Sequence, residues 1–167
     1  EIYLMEKILK YFFLLKNIRF NCYTIKNKDI LIFDEKGYET IKPFLRGKDY
    51  SILKARGEEI NLYIILKMIF DFKSINYMNY LYKHVELVNP KYILHHSVNY
   101  RFFFIKKKFP NLTTIFIQSE FIHKKDISRF KKSGFCDYAL LWGKRDIKNF
   151  IKIAKKTKLI GSILNKY

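Results

Sequence analysis

The stretch Lys91–Glu120, KYILHHSVNYRFFFIKKKFPNLTTIFIQSE, constrains the fold more tightly than any other part of the chain. Asn89-Pro90 opens a new element, and Tyr92–His95 behind it is a short apolar run. Ser97 and Asn99 supply the short polar side chains that favour turns and helix N-caps. In Arg101–Lys108, Phe102 and Ile105, followed by Phe109, recur at helical spacing until Pro110, whose ring cannot continue a helix. Thr113–Ile117 is β-branched and aromatic, as a buried strand should be. Two strands joined by a helix of this length predict a right-handed βαβ unit. The carboxyl ends of its strands are His96-Ser97-Val98-Asn99 and Gln118-Ser119-Glu120. Ligands of open parallel sheets bind outside that edge, so a site is expected there.

The same alternation runs through the rest of the chain. Asp29–Phe33 (DILIF), Tyr50–Lys54 and Tyr138–Trp142 (YALLW) are nearly continuous in apolar residues, which predicts strands buried on both faces of a parallel sheet. Helices are predicted over Tyr38–Leu45 and Ile60–Phe70. A longer one follows Ser74 as its cap, with Ile75, Met78, Leu81, Tyr82, Val85 and Val88 at helical spacing. His123–Lys132 reads as loop and short helix, Lys144–Lys155 as a helix with Ile147, Phe150, Ile151 and Ala154 on one face, and Leu159-Ile160 as a last short strand. The expected class is α/β, a doubly wound, mostly parallel sheet with helices on both faces. A chain of 167 residues suits one such domain with a real core. It would occupy residues 25–167, after a helix and linker over residues 1–24.

In that first segment, Leu4, Ile8, Tyr11, Phe12 and Leu15 share one helical face, while Glu6, Lys7, Lys10 and Lys16 make it too charged to span a bilayer. An amphipathic helix there either lies on a membrane surface or packs on the domain or a partner. The net charge of +18 invites a nucleic-acid reading, but it comes from 27 Lys against 6 Arg scattered along the chain. Joined to an excess of Ile, Asn, Phe and Tyr, that lysine excess reflects an AT-rich coding bias. Arginine is the residue expected at phosphates and base edges, so no specific nucleic-acid partner is expected. Some attraction to anionic lipid follows from the charge in any case. Cys22 and Cys136 form neither a disulfide framework nor a metal spacing, and a reducing compartment is the default.

Neither phosphate-cradling glycine fingerprint occurs, and no Gly-x-Ser-x-Gly elbow does. His95 and His96 are adjacent on a strand and point to opposite faces, so no metal site is expected from them, and His96 at the strand exit is the better ligand contact. Ser97, Asn99, Gln118 and Glu120 should converge from neighbouring exits. Glu120 is the carboxylate of that group, and acid or base work by it would need burial to tune its pKa. Arg56 and Glu58 lie at a third exit, as a capped helix start or a substrate contact. Gly37, Gly143 and Gly161-Ser162 mark turns after strands.

Taken in order, ILIFDEKGYETIKPFL, YSILKARGEEINLYIILK, the helix ending KKKFP, TIFIQSE, CDYALLWGKRD and LIGS resemble the amino-terminal half of bacterial surface-carbohydrate biosynthesis proteins. These are glycosyltransferase-like proteins of the GT-B type, distantly similar to CDP-glycerol glycerophosphotransferases. The likeness covers about residues 29–163. Arg56-Gly57-Glu58, Trp142-Gly143 and Gly161-Ser162 follow the family pattern, as do Asn99 and Gln118; Ser97 stands where the family has Asp, and Ser119-Glu120 where it has Asn-Gly. The resemblance implies a Rossmann-like half that supplies the acceptor side of a transferase active site. The nucleotide-sugar donor would need a second domain beyond this chain, which itself holds no cofactor and is expected to be inactive alone. The implied partner is a saccharide or a lipid-linked acceptor, in the cytoplasm or peripherally on the inner face of the cytoplasmic membrane, with residues 1–20 as the contact. The rival readings are a non-catalytic binding or scaffold module of the same fold and, on charge alone, a nucleic-acid binder.

Overall fold

The computed structural model describes residues 18–36, 38–56 and 59–162, so all but the last three residues of the helix expected over Glu1–Phe20 lie outside the described residues. In chain order the elements are β1 (Arg19–Asn21), β2 (Ile30–Phe33), α1 (Tyr38–Ile41) with a 3-10 turn (Lys42–Leu45), β3 (Tyr50–Leu53) and β4 (Glu59–Asn61). Then follow α2 (Leu62–Phe70), α3 (Tyr77–Val88), β5 (Tyr92–His95), α4 (Arg101–Lys108), β6 (Thr113–Ile117), α5 (Lys124–Ser133), β7 (Cys136–Leu141), α6 (Lys144–Phe150) and β8 (Ala154–Leu159).

Six strands form one sheet in the order β3-β2-β5-β6-β7-β8, and every pairing is parallel. The fold is the expected α/β, Rossmann-like one. From β2 the chain steps outward to β3, then crosses back over β2 to β5 and continues in that direction. The order therefore reverses between β2 and β5, where connections leave on opposite faces and open a crevice at the strands' carboxyl ends.

One face of the sheet carries most of the core. Leu31, Phe33, Leu53, Ile93, Phe116, Ala139 and Leu141 share it with buried side chains of α2 to α6. Phe102, Phe103, Phe116, Phe130 and Phe150 interlock there, with ring centroids 4.6 Å apart for Phe103–Phe130 and 5.0 Å for Phe116–Phe150. Each such ring removes a large apolar area from water. The other face holds a smaller cluster of Ile32 with Ile41 and Leu45 from α1 and the 3-10 turn. Further along that face Leu94, Ile115, Ile117 and Leu140 are half-buried, and Tyr92 and Tyr138 are exposed.

Several boundaries differ from the sequence reading, each for a visible reason. Residues 19–21 are not helical but a strand, paired in parallel with β4 from Arg19↔Glu59 to Asn21↔Asn61. That pairing also takes Ile60 out of the following helix, which starts at Leu62 with the Asn61 side chain accepting from the Tyr63 amide. Asn76, not Ser74, caps α3 by accepting from the Asn79 amide at 2.9 Å. β7 begins at Cys136, and α6 stops at Phe150 so that Ala154 opens β8. Lys106, in the lysine run that ends α4, does not extend into solvent. It is buried, and its ammonium donates to the carbonyls of Pro110 and Leu112 at 2.6 and 2.7 Å and pairs with Asp137 at 2.8 Å.

Candidate functional site

The first strand exit at the switch point is Asp34, which follows β2. Its φ of 93° is a conformation that residues with a side chain rarely adopt. Its carboxylate is 1% exposed. Arg56, after β3, grips it like a fork, with Nε 3.0 Å from Oδ1 and Nη2 2.9 Å from Oδ2. The Ser97 hydroxyl donates to Oδ2 at 2.9 Å and the Lys36 amide to Oδ1 at 3.2 Å. Burial pushes the Asp34 pKa up, but these donors outweigh it and hold the carboxyl below the usual range. The group stays ionised and fixes Arg56, so it is a positioning residue rather than a base.

The remaining exits are tied into the same frame. Asn99 donates from Nδ2 to the Ala55 carbonyl at 3.1 Å and accepts from the Arg101 amide at 3.2 Å, which seats the start of α4 against the β3 exit. Ser97 accepts from the Asn99 amide at 3.4 Å. Glu120 accepts from the Val98 amide at 3.2 Å and lies 3.8 Å from the Lys36 ammonium, with its side chain 37% exposed. It is the more accessible of the two carboxylates. Gln118 is buried, accepting from the Trp142 amide at 2.8 Å and donating to the Glu120 carbonyl at 3.4 Å. Its side chain staples the β6 exit to the β7 exit. Ser119 donates to the carbonyl of His96.

Of the residues expected from sequence, Arg56, Ser97, Asn99 and Glu120 come together at the carboxyl edge around Asp34, which nothing local in the sequence marks as a site residue. Glu58 and Gly37 lie outside the described residues. His96 is fully buried, and burial lowers its pKa. His95 donates from Nδ1 to the Phe33 carbonyl at 2.8 Å and stacks on Phe102 at 4.7 Å; burial drives its pKa down to about 4, so it is a neutral core residue. Among the described residues no cluster has the makings of a metal site. Gly161 takes the left-handed φ of 70° that its turn requires, with the half-buried Ser162 after it. Gly143 is extended at −143°, and an added Cβ would come no closer than 3.8 Å to Asp146, so the backbone does not demand glycine there.

Beside Asn99 lies an open cavity of about 320 Å³, lined by Arg56, Val98, Asn99, Tyr100, Arg101 and Arg129. A second cavity of about 440 Å³ lies at the opposite, amino edge, between the loop after α3 and the loop after α4. The carboxyl-edge cavity is the better candidate, because the switch point and the exit side chains converge there. Tyr100, Arg101 and Arg129 were invisible as site residues in the sequence, since the strand order that gathers them is a long-range property. No known protein family, no curated protein and no solved structure matches the chain. No helix among the described residues is long and apolar enough to cross a membrane.

Proposed function

We propose that this is a ligand-binding Rossmann-like domain that supplies the acceptor side of a glycosyl-transfer site for cell-surface polysaccharide. The observation that carries the reading is the strained, buried Asp34, forked to Arg56 and bonded to Ser97 at the β2/β5 switch point. Strain and a buried ion pair at such a crevice are costs that a fold keeps where a ligand is held. Ser97 and Asn99, buried and bonded within the protein, hold the edge in shape, and the partly exposed Glu120 offers an acceptor of the kind that binds sugar hydroxyls. Glu120 is partly exposed rather than buried and stands at the β6 exit outside the cavity lining, where it is the carboxylate available to accept a proton from a hydroxyl bound along that edge. Tyr100, which lines the cavity, adds apolar surface for a pyranose ring.

Donor activation lies outside this reading of the chain, so the domain binds acceptor and does not turn over alone. The test is a backbone-amide NMR titration with N-acetylglucosamine, galactose and N-acetylmannosamine, and separately with UDP-N-acetylglucosamine. The expected result is perturbation confined to residues near 34–36, 97–101 and 119–121, with no sugar released from the donor. Perturbation centred on the amino-edge loops, or hydrolysis or transfer by this chain alone, would overturn it. A non-catalytic module of the same fold differs only at Glu120. In the assembled transferase Glu120→Gln should then leave turnover intact, whereas a base role predicts its loss.

A further inference from the structure

Three of the chain's six arginines, Arg56, Arg101 and Arg129, line one carboxyl-edge cavity. The lysine excess is spread along the chain and carries little information about partners, but a coding bias toward lysine does not gather arginines. Among the described residues no carboxylate lines the cavity. Asp34 neutralises Arg56 from behind, with Nε and Nη2 turned to it. Arg101 lies over the rings of Tyr77 and Tyr100 at 5.0 and 5.5 Å, which holds its guanidinium in place without cancelling its charge. Arg129 is 4.0 Å from Asp126, with its side chain 62% exposed. Arg101 therefore brings a positive charge, with no carboxylate beside it among the described residues, into a space shared with the guanidiniums of Arg56 and of the loosely paired Arg129, and like charges so placed repel unless an anion joins them. Planar guanidiniums match tetrahedral phosphate oxygens in paired hydrogen bonds. The volume suits a phosphate with one attached ring or chain rather than a whole dinucleotide.

We infer that the Arg56–Arg101–Arg129 cavity binds the phosphoryl group of a phosphorylated saccharide carrier. The inference rests on the acceptor-side reading only for the word saccharide; the anion site stands on the arginines. Two sources offer this chemistry, a nucleoside diphosphate and a polyprenyl phosphate, and the experiment separates them. The full chain is titrated calorimetrically at fixed ionic strength with inorganic pyrophosphate, UDP and geranyl phosphate, alongside Arg101→Gln, Arg129→Gln and the double variant. The lysine pair Lys156→Gln/Lys158→Gln on β8, far from the cavity, is the charge-matched control. All variants are checked for unchanged far-UV circular dichroism. Each arginine loss should weaken binding about tenfold, as for a charge-assisted bond, and the lysine pair should leave it unchanged. Tighter binding of geranyl phosphate than of UDP identifies the lipid carrier, and the reverse identifies the nucleotide. Equal weakening by the lysine pair would reduce the binding to bulk charge and overturn the site. Perturbation by N-acetylglucosamine without any phosphoryl binding would overturn this inference and leave the acceptor reading standing. Phosphoryl binding without any saccharide binding would do the opposite.

Discussion

Asp34 combines two features that a stable fold avoids, a φ of 93° and a buried carboxylate. A buried charge is tolerable only while its partners remain, and here the main partner is Arg56. Arg56→Ala should therefore cost about 2 kcal/mol at pH 7, discounted because Arg56 is one-third exposed. In the native chain the lowered Asp34 pKa contributes stability above the unfolded carboxyl value, lost as pH falls through the folded one. Without Arg56, burial raises that pKa, so protonation relieves the defect and the loss should shrink at pH 4.5. Urea unfolding at both pH values measures this, and an equal loss at each would show that the charge pair is not the cause. The glycines make a second contrast. At Gly134 φ is 144° and an added Cβ would sit 2.5 Å from the Phe103 carbonyl oxygen. Gly134→Ala should cost at least about 2 kcal/mol, while Gly143→Ala should stay within about 0.5 kcal/mol, both read from thermal midpoints. Sequence pointed to Gly143 because it follows a strand. It could not point to Gly134, whose demand comes from Phe103 on a helix far back in the chain, nor single out Asp34, whose place depends on which strand lies beside β2.

At the scale of elements, local signals and edges explain which parts of the fold were readable. Tyr92–His95, Arg101–Lys108 and Thr113–Ile117 have the boundaries that their apolar spacing implies. β8 does not, because AKKTKL is an edge strand whose exposed lysines hide its pattern, and lysines are how such edges are protected from further pairing. β1 and β4 form a two-stranded ribbon of three residues each, too short to leave a period-two signature. Lys106 is hidden for a related reason, since a run of three lysines suggests solvent while the α4–β6 loop folds over the first of them. Its ammonium satisfies two loop carbonyls and the half of Asp137 that also receives the Thr114 amide at 2.9 Å. Burial pushes the Asp137 pKa up, but Lys106, Thr114 and Lys155 bring it down to about 2. Lys106→Ala should destabilise by about 3 kcal/mol, because it orphans buried acceptors, whereas the exposed Lys107→Ala should be close to neutral. Matching losses in urea unfolding for the two variants would refute the clamp.

For the whole molecule, the parallel sheet was legible because continuous apolar strands separated by amphipathic segments admit few other arrangements. The balance of its two faces was not, since nothing local says that five helices pack on one side and a single short one on the other. The thick face also encloses neutral imidazoles, and this gives the fold a pH dependence of its own. His84 and His95 are buried, and burial lowers each pKa to about 4. The unfolded chain takes up protons on these rings near pH 6.5, while the folded chain refuses them until about pH 4. The unfolded state therefore binds more protons across that window, and stability rises with pH through it. Between pH 7 and pH 5 each ring should remove on the order of 2 kcal/mol, before the lowered carboxylates Asp34 and Asp137 begin to contribute at more acid pH. Denaturant midpoints taken at intervals from pH 7 to pH 4 would trace this slope. His84→Leu, placed among the apolar residues of α3, should lose one ring's share of it. A midpoint independent of pH over that range would mean that the two rings are not sealed in the core as the packing implies.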